Sequence, residues 1–230
     1  MNRSFCTMEK STFEVVVIGG GSGGIMVASQ LRRKDSKIRI ALIEPNERHY
    51  YQPSFTLVGG GTYNMDKTWR PQEKLIPKNV DWFQEKAVEL NPEENTVTLA
   101  SGKALKFEVL IISTGLIYDM EGIPGLKEGM DSGSVVSNYV DPVKALEALK
   151  GFKGGNYLST QPSGAIKCGG APQKAIYLAE HYLRKNGKRD GSNMIYATPG
   201  SCVIGVAAIQ KATRTTRGLK EHSFQTVPHP

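Results

Sequence analysis

Five residues of this sequence stand where they could do chemistry: Gly19, Gly21, Gly24, Glu44 and Cys168. The first three form Gly-x-Gly-x-x-Gly inside the run GGGSGG, and Glu44 follows Gly24 by 20 residues. At that spacing the first glycine permits a tight turn, the second lets the backbone approach a pyrophosphate, and the third lets helix and strand pack closely. The unpaired N–H groups of a helix N-terminus then stabilise the anion. An acid at the end of the next strand accepts hydrogen bonds from a ribose hydroxyl. The chemistry is recognition of a dinucleotide; the glycines alone do not separate a flavin from a nicotinamide carrier.

Cys168 lies in AIKCGGAPQKA, just before an expected helix start and between Lys167 and Lys174. Helix N–H groups and nearby cations favour thiolate over thiol, and two adjacent glycines leave the sulfur accessible. Those are conditions for a nucleophilic or redox thiol, although a cysteine without a partner can equally be a small buried hydrophobe. Cys6, in the N-terminal stretch, and Cys202, in the apolar SCVIGV, have no such setting. His49, His181, His222 and His229 form no ligand cluster, so no metal site is expected. No nucleophile-elbow serine is present.

The elements that must position these residues read as alternating strand and helix, hence a parallel sheet. Val15–Ile18 is a continuous apolar run, as for a buried parallel strand. Ile25, Ala28 and Leu31 recur at helical spacing, and Ile38–Ile43 is a second strand ending at Glu44. Residues 45–80 read as irregular. Segment 96–113 reads as a β-hairpin turning at Ser101-Gly102, and 118–139 as loop. Asp141-Pro142 caps and opens a helix with Val143, Leu146 and Leu149 inward and Gly151 at its end. A second β-α-β unit follows, from a weak strand at Tyr157–Ser159. Its helix starts near Ala171-Pro172, with Ala175, Ile176, Ala179, Tyr182 and Leu183 on one face, and its last strand is Met194–Thr198. After Val206 the pattern dissolves.

Val109–Gly115, VLIISTG, is a buried strand ending in Thr114-Gly115. It resembles the second flavin motif of two-dinucleotide flavoproteins, where the chain passes close to FAD and a small residue is needed for lack of room. The second β-α-β unit lacks another Gly-x-Gly-x-x-Gly. Its loop reads STQPSGAIKCGGAP, with a thiol in place of the nicotinamide motif, which argues against NADH there.

The chain has 230 residues, 39% of them hydrophobic and 22% charged, enough to bury a core in one or two domains. No apolar run reaches the ~18 residues of a membrane-spanning helix. Three cysteines are too few for a disulfide scaffold. The net charge is +7, part of it from Lys211, Arg214, Arg217 and Lys220 against Glu221 in the last 24 residues. With no nucleic-acid motif beside that charge, nucleic-acid binding is not expected. The N-terminus shows neither a secretory signal nor an evident transit peptide.

From about Phe13 to Val206 the chain resembles the eukaryotic mitochondrial sulfide:quinone oxidoreductase family. The motifs that carry the likeness are VVVIGGGSGGI, IEPNERHYYQPSFTLVGGG, VELNPEENTV, VLIISTG, IKCGGAPQK and YLRKNGKR. The resemblance implies an α/β fold, a Rossmann-like FAD-binding domain plus part of a second βαβ domain. It implies oxidation of sulfide to sulfane sulfur, held on a cysteine pair whose first member matches Cys168, and electrons passed through FAD to ubiquinone. The implied FAD contacts are Ser22 and Gly23 at the phosphates, Glu44 at the ribose, Gln52 in the YQP loop, and Ala87 near the adenine, beside Gly19, Gly21, Gly24, Thr114 and Gly115. The implied partners are sulfide, ubiquinone, a small sulfur acceptor and the mitochondrial inner-membrane surface.

The expected domains are a disordered 1–12, an FAD-binding 13–140, a partial second domain at 141–206 with the redox cysteine, and a divergent, disordered 207–230. Family members continue past Val206 with a half that holds the partner cysteine, so this chain reads as a shortened form that retains FAD poorly or not at all and has background turnover. Two other readings compete: an NADH:quinone dehydrogenase-like flavoprotein, and a non-enzymatic flavin-binding fragment.

Overall fold

A computed structural model describes residues 11–161, 164, 166–198 and 223–226, the last four by backbone alone. They fall into two compact units. One contains the described residues up to Tyr50 together with Trp69–Ile117; the other contains Tyr51–Thr68 and the described residues from Tyr118 on.

In the first unit β1 (Thr12–Ile18) leads through a glycine loop into α1 (Ser22–Lys34) and then β2 (Ile40–Ile43). Both strands are apolar without alternation because both faces are covered. Val16, Ile18, Ala41 and Ile43 enter one core cluster with Val97, Leu99 and Leu105, while Val15, Val17, Ile40 and Leu42 enter another with Ala28 of α1. Arg32, Arg33 and Lys34 close α1, where cations suit the helix C-terminus. The chain continues through β3 (Arg48–Tyr50), β4 (Trp69–Pro71), β5 (Val80–Phe83), β6 (Ala87–Asn91), β7 (Thr96–Leu99) and β8 (Ala104–Ile112). The main sheet runs β5-β2-β1-β8-β7-β6, with β5, β2, β1 and β8 parallel and β7 and β6 added antiparallel. The β7–β8 hairpin turns where expected, with Gly102 at φ +86°. Residues 45–80, expected to be irregular, instead contain the β3–β4 pair and short helical turns, and end on the first residue of the sheet strand β5. These pieces are three to five residues long, too short to show a period.

The second unit holds α2 (Phe55–Gly59), α3 (Leu126–Ser132), α4 (Pro142–Gly151), β9 (Gly155–Thr160), α5 (Ala171–Lys185), β10 (Ser192–Thr198) and β11 (Ser223–Thr226). α3 corrects the expectation of loop throughout 118–139. α4 opens as expected: the Asp141 side chain accepts hydrogen bonds from the Val143 and Lys144 N–H groups, and Pro142 occupies its first turn. Its inner face differs, however. Pro142, Ala145 and Leu149 are buried, whereas Val143 is 41% exposed. Ala145 and Leu149 lie one helical turn apart and define the stripe, and Val143 falls off it.

β9, α5 and β10 form the second β-α-β unit, its two strands parallel. Ile176, Ala179 and Leu183 of α5 pack with Leu149, Met194 and Tyr196. Four residues of the tail expected to be disordered form β11, parallel to β10; the rest of 199–230 lies outside the described residues. No helix among the described residues is long and apolar enough to cross a membrane.

α5 also buries a charge. The Glu180 carboxylate, 2% exposed, accepts hydrogen bonds from Arg184 Nε (2.9 Å) and Nη2 (2.5 Å) and lies 3.6 Å from Arg189 Nε. Arg189 is itself mostly buried and donates to the Ser192 carbonyl. Glu180→Ala should destabilise the second unit by about 3–5 kcal/mol, because Arg189 loses its counter-charge in a dry setting. Urea unfolding followed by circular dichroism checks this. A loss below about 1 kcal/mol, as for an exposed ion pair, contradicts it.

Candidate functional site: a glycine loop between two strand ends

The loop begins where β1 stops. Gly19 N–H donates to the Ile43 carbonyl at 2.8 Å, fastening the loop to the end of β2. Gly19 has φ +101°, and a Cβ there would stand 2.4 Å from the Ser113 carbonyl oxygen, so both dihedral and space require glycine. A Cβ on Gly24 would lie 1.9 Å from the Gly19 carbonyl oxygen and 2.8 Å from Ser113 Oγ. This is the close helix–strand approach that the third glycine was expected to allow. A Cβ on Gly21 would meet nothing within 4 Å, so the space in front of the loop is open. Gly21 is also the N-cap of α1 and supplies no side-chain cap. Capping the first-turn N–H groups of Ser22, Gly23 and Gly24 is therefore left to a ligand or solvent.

Behind the loop, side chains hold the carbonyls. Ser113 Oγ donates to the Ile18 and Gly19 carbonyls (3.0 and 2.9 Å). Gln72 Nε2 donates to the Gly20 carbonyl at 2.7 Å, and His49 Nδ1 lies 3.3 Å from the same oxygen. Glu44 is half-buried and already engaged. Its Oε2 accepts from Gly20 N–H (2.8 Å), and its Oε1 from the backbone and side-chain nitrogens of Asn46 (2.8 and 2.6 Å). Trp82 Nε1 donates to the Glu44 carbonyl at 2.9 Å. Glu44 thus braces the loop.

Thr114 and Gly115 are exposed and follow Ser113 directly at the end of β8, Gly115 with φ +80°; the VLII stretch before them, expected to be buried, is half-exposed, with Val109 and Ile112 open to solvent. Ala87 opens β6 and packs half-buried against the first core cluster. Gln52 belongs to the second unit. There its Oε1 accepts from Tyr139 Oη (2.5 Å) and lies 3.4 Å from Lys167 Nζ.

Cys168 is exposed, two residues before Gly170, the N-cap of α5, which provides no side-chain cap. Lys167 is committed elsewhere. Its ammonium donates to Tyr139 Oη at 2.6 Å and sits 4.8 Å from that ring's centroid. Burial first, and then the charge and hydrogen bond of Tyr139, hold the Tyr118 hydroxyl above its ordinary pKa, so Tyr118 stays protonated at neutral pH. Cys6 and Cys202 lie outside the described residues, and among the described residues no group of side chains could hold a metal ion.

Sequence reasoning missed three residues of the loop's support: Ser113, Gln72 and Asn46. Ser113 stood beside the Thr-Gly pair and could have been found from the motif. Gln72 stands 52 residues from Gly20 in a stretch without periodicity, where no local signal marks it.

A largely parallel sheet with a glycine loop at a strand–helix junction and an acid at the neighbouring strand end defines a Rossmann-like dinucleotide-binding architecture. The chain belongs to the pyridine nucleotide-disulphide oxidoreductase family, whose sequence pattern it matches over residues 13–150. Within it, the chain is 44% identical over 205 residues to the mitochondrial sulfide:quinone oxidoreductase of Mus musculus, covering 87% of this chain and 45% of that protein. The corresponding protein of Dictyostelium discoideum is 39% identical over 201 residues, covering 86% of this chain and 44% of that one. Among solved structures, the sulfide:quinone oxidoreductase of Aquifex aeolicus superposes with a TM-score of 0.75 at 26% identity, over 92% of this chain and 50% of that one. The chain spans about half the length of the curated relatives it matches.

Proposed function

We propose that this chain carries the dinucleotide site of a mitochondrial flavin-dependent sulfide:quinone oxidoreductase. The observation behind the reading is the cradle at Gly21: uncapped N–H groups face open space while the loop carbonyls are occupied from behind. A pyrophosphate fits such a place, since it brings negative charge to a helix N-terminus. Gly19, Gly21, Ser22, Gly23 and Gly24 hold the pyrophosphate of FAD and Glu44 its ribose, with Thr114, Gly115, Gln52 and Ala87 as further contacts. When bound, FAD supplies a two-electron carrier.

The reaction takes two electrons and one proton from HS⁻, leaving sulfane sulfur, and ubiquinone takes up the two electrons with two protons, the second drawn from solvent. Cys168 is the thiol that receives the sulfane sulfur and passes it to a small acceptor. Its exposure and its adjacent glycines suit both steps. The enzyme works at the surface of the inner membrane, where ubiquinone resides.

The test is a titration of the purified chain with FAD, followed by flavin fluorescence. Glu44→Ala should weaken binding by about 1–3 kcal/mol, because one charge-assisted acceptor and one brace of Gly20 are lost together. Unchanged affinity in the variant, or absence of any saturable FAD binding by the parent chain, counts against the proposal.

A further inference from the structure

We infer that Gln72 is the positioning residue of this loop, setting the direction in which the Gly21 N–H points. The inference rests on the dinucleotide reading above and adds a residue that no glycine motif contains.

Geometry carries it. The Gly20 carbonyl and the Gly21 N–H belong to one planar trans peptide, so they point in opposite directions. Gln72 Nε2 holds that carbonyl from behind at 2.7 Å, with His49 Nδ1 at 3.3 Å as a second, weaker neighbour. The Gly21 N–H is thereby turned toward the open side, where a Gly21 Cβ would meet nothing within 4 Å. The same logic holds one peptide earlier. Ser113 holds the Gly19 carbonyl, and the Gly20 N–H points instead to Glu44 Oε2.

Gln72 is built for the task. It is 1% exposed, its own N–H donates to the Glu47 carbonyl, and its carbonyl accepts from the Leu75 and Ile76 N–H groups. A buried amide fixed in this way loses little freedom on bonding and cannot swing to water. It also explains a glycine outside the Gly-x-Gly-x-x-Gly spacing. A Cβ at Gly20 would stand 2.3 Å from Gln72 Nε2 and 2.7 Å from Glu44 Cβ, so the brace and a side chain at position 20 exclude each other.

The experiment uses the full chain with two near-isosteric variants. Gln72→Met removes the donor without opening a large cavity. Gln72→Glu replaces it by a group that donates only when protonated, and burial raises the pH at which it protonates. Hydrogen-exchange protection is measured at the hydrogen-bonded Gly19, Gly20 and Ile25 amides, with β7 as internal reference, and FAD affinity by titration across pH.

Gln72→Met should lower protection of the loop and FAD affinity by about tenfold each, the loss of one buried hydrogen bond, with β7 unchanged. Gln72→Glu should match that loss at neutral pH and recover toward the parent chain as pH falls, which a merely space-filling role would not produce. Loop protection and affinity within twofold of the parent in Gln72→Met, or no acid recovery in Gln72→Glu, overturns the inference. A parent chain that binds no FAD overturns the proposed function instead, while the loop protection and its pH profile still decide the role of Gln72.

Discussion

Serine in place of Cys168 should abolish sulfide-dependent ubiquinone reduction, by about 10³-fold or more, when the exchange is made at the matching position of a full-length relative. FAD content should stay the same, because none of the residues proposed to hold FAD is changed. The expectation follows from what surrounds the sulfur. Cys168 is exposed, and Gly169 and Gly170 would have open space even with a side chain added. The helix that begins at Ala171 has no side-chain cap, so its N-terminal dipole is directed at whatever anion approaches. Lys167 does not offer its charge freely, being held by Tyr139. In the 230-residue chain, alkylation followed by mass spectrometry should mark Cys168 before Cys6 or Cys202. A serine variant with turnover within tenfold of its parent, or Cys168 labelling no faster than Cys6, refutes the assignment.

Alanine at Gly24 should cost the first unit about 3 kcal/mol or more and remove FAD binding. The added methyl group would lie 1.9 Å from the Gly19 carbonyl oxygen and 2.8 Å from Ser113 Oγ, and neither can yield alone. Ser113 ties the end of β8 to the end of β1, so relieving the clash pushes α1 off the sheet or breaks the Ser113 bonds to the Ile18 and Gly19 carbonyls. Overpacking in a well-packed place typically costs about 1–3 kcal/mol, and here a buried hydrogen-bond network is lost as well. Gly21→Ala is the natural control. Its methyl group meets nothing within 4 Å, so the fold should be little affected while a pyrophosphate is crowded. Denaturant unfolding and FAD titration of the two variants separate these outcomes. A Gly24→Ala chain as stable as its parent would show that α1 is not seated on this loop.

Both predictions use residues that were visible in the sequence, whereas their partners were not. β1, α1, β2 and the loop between them are local features. A continuous apolar run, glycines at fixed spacing and an acid at the next strand end lie within about thirty residues of one another, and each reports its conformation through its own chemistry. The cap at Asp141 and the hairpin turn at Gly102 are legible for the same reason. β5 and β6 were missed because VDWF and AVELN are short, partly exposed and without alternation, so only pairing with β2 and β7 makes them strands.

Which residues could touch a dinucleotide, and which cysteine stands at a helix start, is legible in the local chain, since glycine conformation and helix polarity are local properties. What holds them comes from segments far away in the chain. Gln72 reaches Gly20 across 52 residues, Ser113 reaches Gly19 across 94, and Lys167 and Gln52 meet at Tyr139. Side-chain hydrogen bonds of that kind have no period and no spacing. They exist because a buried polar group must find a partner wherever the fold brings one, and that location is fixed by packing rather than by sequence neighbours.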